Sequence, residues 1–184
     1  YLLDIPAFAG ALAQDMNPSK PPSTGSAIAD YTFICFMLGN DFMPHFPALN
    51  IRTSGIDRLM QGYTQTVAAK GGRLVEGTRV QWKMLRKLVS WLAAEEHAFI
   101  LQEYAVRAKQ ARRARGPQRT VDDELNALPL RDRSLETYIA PHEDGWQARY
   151  YRSLLGFEPS EGRVRDVCVN YLEGLEWTWK YYVS

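Results

Sequence analysis

The sequence predicts a mainly α fold, and three observations carry that prediction. Trp82, Leu85, Val89 and Leu92 recur at steps of three and four, and Phe99 resumes the stripe one turn past Glu95-Glu96. Val164, Val167, Cys168, Tyr171, Leu172, Leu175 and Trp179 form a second apolar face of helical spacing near the C-terminus. The one segment with hairpin character is short, Arg73 to Val80 around Glu76-Gly77.

Taken in order, Tyr1 to Ile5 reads as a short strand or the lead-in to a helix, and Ala7 to Gln14 as weakly helical. Pro18, Pro21 and Pro22 make Asn17 to Gly25 a loop. A helix is predicted from about Ser26 to Leu38, with Ser26 as its cap and Asp30 in its first turns. Its second half, Phe33 to Leu38, is apolar all round and so must be buried, as helix or as strand. Gly39-Asn40-Asp41-Phe42 breaks that run, and Pro44 and Pro47 keep the chain irregular through Ile51. Further helices are predicted over Ser54 to Lys70, ended by Gly71-Gly72, and over Gln81 to Arg115, stopped by Gly116-Pro117. Arg119 to Asp144 reads as a long polar connection with one short helix, and Arg112 to Asp144 as mobile, since it has few large apolar residues. Helices over Trp146 to Leu155 and Glu161 to Tyr182 complete the chain.

The 184 residues suffice for one domain with a core, and 46% apolar with 23% charged residues is ordinary for a soluble globular protein. A net charge of +1 excludes binding of nucleic acid through a large overall field, so any such binding must rest on local geometry. Cys35 and Cys168 each sit in an apolar run, where free thiols are commonly buried. Two distant cysteines without a secretory signal point to a reducing, intracellular compartment without a structural disulfide. His45, His97 and His142 show no zinc-ligand spacing with them. No apolar run reaches membrane-spanning length. The absence of an initiator Met and the aromatic-rich C-terminus suggest a piece of something larger.

Gly39-Asn40-Asp41-Phe42-Met43-Pro44-His45 is the segment that could carry chemistry. A carboxylate directly after a buried run is costly unless it is paired or binds a cation. Hard ions such as Mg²⁺ prefer carboxylate oxygens, which makes Asp41 a candidate metal ligand. The competing reading is a helix-end turn in which Asn40 and Asp41 bond backbone groups. His45 is read as a packing and hydrogen-bonding residue rather than a base, and Arg52 and Arg58 as surface or ion-pair residues. The basic run Arg107, Lys109, Arg112, Arg113, Arg115 and Arg119 lacks interleaved aromatics and reads as a solvated helix end. Trp177 and Trp179 read as core.

The stretch from Asp30 through Gly39-Asn40-Asp41-Phe42 to Arg52 resembles the signature that closes the nuclease region of the XRN family of 5′→3′ exoribonucleases. The resemblance continues through Gly55-Ile56-Asp57-Arg58-Leu59, Gly71-Gly72-Arg73-Leu74, Arg149-Tyr150-Tyr151 and Tyr171-Leu172-Glu173-Gly174-Leu175-Glu176-Trp177, then Tyr181-Tyr182. It is weak from Arg107 to Asp144 and from Gln14 to Gly25. The resemblance implies residues 1–52 as the end of a nuclease core and residues 53–184 as a helical domain with a charged connection at about 107–144. The module would buttress an α/β core largely missing from this chain. It implies hydrolysis of single-stranded RNA from a 5′-monophosphate end with Mg²⁺ or Mn²⁺, in cytoplasm or nucleus. Asp41 would be the catalytic metal ligand, sharing the ions with acidic residues outside this chain. The rest of the nuclease core would be the partner, and the chain alone would not cut RNA. The alternative is a degenerate homologue serving as an RNA- or protein-binding scaffold.

Overall fold

A computed structural model describes residues 2–114, 120–122, 125 and 132–184. It is mainly helical, as expected. Helix α1 spans Ile5–Met16, with Asp4 as its cap: Oδ1 accepts from Ala7 N at 3.0 Å. Helix α2 spans Thr24–Cys35 and tightens into a 3₁₀ turn at Phe36–Leu38. Its cap is Ser23, not Ser26; the Ser23 hydroxyl accepts from Ser26 N, which moves the helix start upstream. Helix α3 is Gly55–Thr66, followed by a 3₁₀ turn at Ala68–Lys70 and then Gly71 at φ 62°. The small hairpin is present: β1 (Val75–Glu76) pairs antiparallel with β2 (Arg79–Val80) around Gly77.

The single helix predicted over Gln81 to Arg115 is instead two, α4 (Trp82–Ala94) and α5 (Glu96–Ala114). Glu95 leaves helical geometry at φ −116°, ψ 5°, and its N–H turns back to Ala93 O. The apolar stripe had already skipped a turn there. Beyond it come α6 (Ser134–Ile139), α7 (Trp146–Tyr150) with a π-helical turn at Tyr151–Leu155, and α8 (Glu161–Val183). Among the described residues no helix is long and apolar enough to cross a membrane.

The chain forms two compact units, Tyr1–Glu96 with Asp166–Ser184, and His97–Arg165. In the first, Phe33, Ile34, Met37, Leu59, Leu74, Leu85, Leu88 and Leu175 are fully buried. Each such side chain contributes about 1.5–3 kcal/mol on burial. Phe33 meets Trp179 edge-on at 5.9 Å, and Trp179 Nε1 donates to Gly77 O at 2.9 Å, tying α8 to the hairpin. The burial expected for Phe33 to Leu38 is realised as helix rather than strand, strongest at Phe33, Ile34, Phe36 and Met37. The face predicted for α8 is buried only toward its end: Leu175 and Trp179 are in the core, whereas Leu172 and Cys168 are exposed. Cys35 is half-buried, so neither thiol is deeply enclosed.

Asp30 is buried completely. Its Oδ2 accepts from the Tyr63 hydroxyl at 2.7 Å, and its Oδ1 accepts from Leu74 N at 3.0 Å and Val75 N at 2.9 Å. One side chain of α2 therefore holds α3 and the entry to the hairpin. Arg58 is likewise buried, with Nη1 donating to Ala48 O at 3.1 Å, so it is not a surface residue.

In the second unit the predicted mobile connection is packed around Ile139 to Pro141, whereas Arg112, Val121 and Leu125 are exposed. Ile139 and Ala140 are buried. Arg149 gathers the chain around itself, donating to the carbonyls of Ile139, Ala140 and Asp144 at 2.9, 3.1 and 2.8 Å. His97 Nε2 donates to Pro141 O at 2.7 Å while its ring stacks on Trp146. These backbone partners are invisible to a reading based on apolar residues. The remainder of that expectation, residues 115–119, 123–124 and 126–131, lies outside the described residues.

Glu136 accepts from Arg107 Nη1 and Arg133 Nε, each at 2.6 Å. Partial burial pushes its carboxyl up, but the bonds and charges of the two guanidinium groups together hold it below its ordinary value of 4.5. A depressed carboxylate stabilises the fold above its unfolded-state value and loses that contribution as pH falls through the native one. Glu136→Gln is expected to destabilise this unit by about 1–2 kcal/mol near neutrality. The difference from the parent should vanish in acid. Amide exchange across Ser134–Ile139, measured at neutral and acid pH, checks both statements.

Candidate functional site

Asp41 stands where α2 runs out. The 3₁₀ turn buries Phe36 and Met37, and Gly39 then turns the chain at φ 90°, ψ 148°. That backbone suits glycine, and a Cβ there would lie 3.2 Å from both Cβ and N of His45. Asn40 closes the next turn with three bonds. Its N–H donates to Met43 O at 3.0 Å. Its side-chain oxygen accepts from Phe42 N at 2.8 Å and Met43 N at 2.9 Å. Phe46 N then donates to Met37 O at 2.9 Å, closing the loop onto the helix end.

The result is a tight loop with Asp41 exposed at its tip. The cost of a carboxylate at a buried edge does not apply within this chain, because the burial stops before Gly39 and Asp41 faces water. Asn40 makes the turn bonds that the competing reading divided between Asn40 and Asp41. Among the described residues no group of three or more His, Cys, Asp or Glu could hold a metal ion. A lone exposed carboxylate can supply a hard cation with only one of the several ligands it takes.

Helix α8 clamps this loop from one side. Met43 turns inward and is buried, against Gly174, where a Cβ would come within 2.9 Å of the Met43 sulfur. The Tyr171 hydroxyl donates to Pro44 O at 3.3 Å, and its ring lies 5.4 Å from that of Phe46. Burial pushes the Tyr171 hydroxyl up to about 12. Phe42, next to Asp41, meets Trp177 and Tyr181 edge-on at 5.2 and 5.3 Å. Trp177 and Tyr181 stack on each other at 5.5 Å.

All three rings are about half exposed. Trp177 is thus not core, whereas Trp179 is. Two residues apart on a helix, the pair point in widely different directions, so one burial cannot take both. The four-residue spacing of Trp177 and Tyr181 was the available signal for a separate aromatic face. Of the remaining candidates, His45 is exposed with Nδ1 donating to Phe46 O at 2.8 Å, a bond without deep packing. Arg52 is exposed. Of the basic run, Arg107 is engaged by Glu136, Lys109 and Arg112 are exposed, and the side chains of Arg113, Arg115 and Arg119 lie outside the described part.

Comparison with known proteins agrees with the resemblance in the sequence. Residues 23–138, more than half of the chain and including the Asp41 loop, match the family described as the Xrn1 helical domain. The chain is 29% identical to a 5′-3′ exoribonuclease 2 homolog of Drosophila melanogaster, over 85% of this chain and 22% of that protein. It is 23% identical to a 5′-3′ exoribonuclease 2 of Gallus gallus, over 85% of this chain and 23% of that protein. A 5′-3′ exoribonuclease 2 of Emericella nidulans is 40% identical over a shorter stretch, 39% of this chain and 7% of that protein. The chain spans less than a quarter of the length of these relatives. It belongs to the family of the Xrn1 helical domain.

Proposed function

We propose that this chain is part of a metal-dependent 5′→3′ exoribonuclease that hydrolyses single-stranded RNA from a 5′-monophosphate end. The observation that carries the proposal is the exposed Asp41 at the tip of a loop braced by exposed aromatic rings. The names of the relatives support the 5′→3′ exoribonuclease part of this reading. Asp41 offers its carboxylate outward to Mg²⁺ or Mn²⁺ shared with acidic residues outside this chain. Such ions polarise a phosphoryl oxygen and activate water when bound.

The residues of this chain contribute placement. Gly39, Asn40 and Met43 hold the carboxylate tip, and α8 prevents the loop from folding away. Trp177, Tyr181 and Phe42 present apolar faces beside it, suited to stacking on unpaired bases. Each base–aromatic contact contributes about 1–3 kcal/mol irrespective of sequence.

The test uses the complete protein that carries this chain. It is expected to degrade 5′-monophosphorylated single-stranded RNA, to spare the same RNA with a 5′ triphosphate, and to stop when divalent ions are chelated. Trp177→Ala is expected to weaken RNA binding by about fivefold to a hundredfold, the equivalent of one lost stack. RNA binding without any metal-dependent cleavage would replace the enzyme by a scaffold.

A further inference from the structure

We infer that Asn40 is a positioning residue for Asp41, acting as an uncharged acceptor that folds the loop so that the carboxylate stands at its tip. The inference rests on the proposed metal-binding role of Asp41 and deepens it. Both flanks of the loop have anchors besides Asn40. On one side Gly39 holds its left-handed turn against His45. On the other, Met43 is seated against Gly174, and Tyr171 holds Pro44. Between these anchors, the backbone around Asp41 is fixed by Asn40, through its N–H to Met43 O and its side-chain oxygen to the N–H groups of Phe42 and Met43. The donors sit on the two residues directly after Asp41, so the side chain of residue 40 reaches over residue 41. A carboxylate held in this way does not lose chain entropy again when it takes up an ion.

The other end of the same side chain shows why an amide suits the position. Asn40 Nδ2 is buried without a hydrogen-bond partner. The useful atom is therefore the oxygen. An aspartate here would bury a second, charged oxygen in a position now held by an uncharged amide group. Serine keeps a short neutral acceptor of the kind that closes such turns.

The experiment measures Mn²⁺ affinity of the complete protein by calorimetric titration, with thermal melting and steady-state kinetics on 5′-monophosphorylated RNA. Three variants are compared: Asn40→Ala, Asn40→Ser and Asp41→Asn. Asn40→Ala is expected to weaken Mn²⁺ binding by about 10- to 100-fold, the usual range for groups that orient a ligand. It should lower kcat and leave KM for RNA near that of the parent, and Asn40→Ser should recover most of the loss. Parent-like Mn²⁺ affinity in Asn40→Ala, with Asp41→Asn impaired, overturns the assignment. So does an Asn40→Ser variant as impaired as Asn40→Ala, because the acceptor would then not matter. If Asn40→Ala does not fold, Asn40→Ser decides alone: affinity close to the parent supports the assignment and a clear loss overturns it. Unchanged affinity in Asp41→Asn would instead remove the metal-binding reading on which the inference stands.

Discussion

Replacing Asp41 by Asn in the complete protein is expected to slow RNA hydrolysis by at least about a hundredfold, since losing a ligand should cost no less than losing a group that orients one. The fold should be unaffected. Asp41 is exposed, and the bonds of its turn belong to Asn40, so the nearly isosteric amide disturbs no packing. Removing a charge from the proposed cluster of carboxylates should also relieve repulsion. The melting temperature without metal should therefore match or exceed that of the parent. Affinity for the RNA should stay near the parent value, because the Phe42, Trp177 and Tyr181 rings remain. Turnover, RNA affinity and melting measured on one preparation separate the outcomes. Near-normal turnover would make Asp41 a plain turn residue.

The largest effect on stability is expected at Asp30. Asp30→Ala leaves two backbone N–H groups, of Leu74 and Val75, and the Tyr63 hydroxyl buried without their acceptor. At about 1–3 kcal/mol for each of the three orphaned groups the loss is roughly 3–9 kcal/mol, a large part of the stability of an ordinary domain. Asp30→Asn should cost much less. Its oxygen can still serve Leu74 and Val75, and its amide can donate to the Tyr63 hydroxyl, which reverses its role. Burial pushes the Asp30 carboxyl above its ordinary 3.8, against the pull of its three hydrogen bonds and of the Arg73 charge. The native state then binds this proton more tightly than the unfolded chain does. The contribution of Asp30 to stability is greatest below 3.8 and declines as pH rises through the raised native value. Denaturant unfolding across that window should show the parent losing ground to Asp30→Asn as pH increases. A gap that is constant with pH would show that the native carboxyl is not raised.

What the sequence disclosed follows the kind of interaction involved. The hairpin at Gly77 and the C-terminal helix were legible because turn chemistry and apolar spacing are local. The break at Glu95 left a trace in the skipped turn of the apolar stripe but was masked, since Ala93, Ala94, Glu95 and Glu96 all favour helix. Asp30 looked like an ordinary residue of a first helical turn; its partners lie 33 to 45 positions away, beyond the reach of any periodicity. At the candidate site the loop and Asp41 stood out, but the exposed position of the carboxylate depended on where burial stopped. The aromatic neighbours of Asp41 come from a helix more than a hundred residues downstream, and only folding joins them to Phe42.

The first unit is discontinuous: it opens with residues up to Glu96 and is completed by Asp166–Ser184. A ribosome delivers these pieces separately. At a typical elongation rate, the interval between Glu96 and Trp179 is on the order of ten seconds. Throughout it, Phe33 and Phe36 lack the ring of Trp179 that later covers them. The nascent chain must carry that apolar surface while the residues of the second unit are made. That surface is covered only once Trp179 has been made and can pack on Phe33 and Phe36.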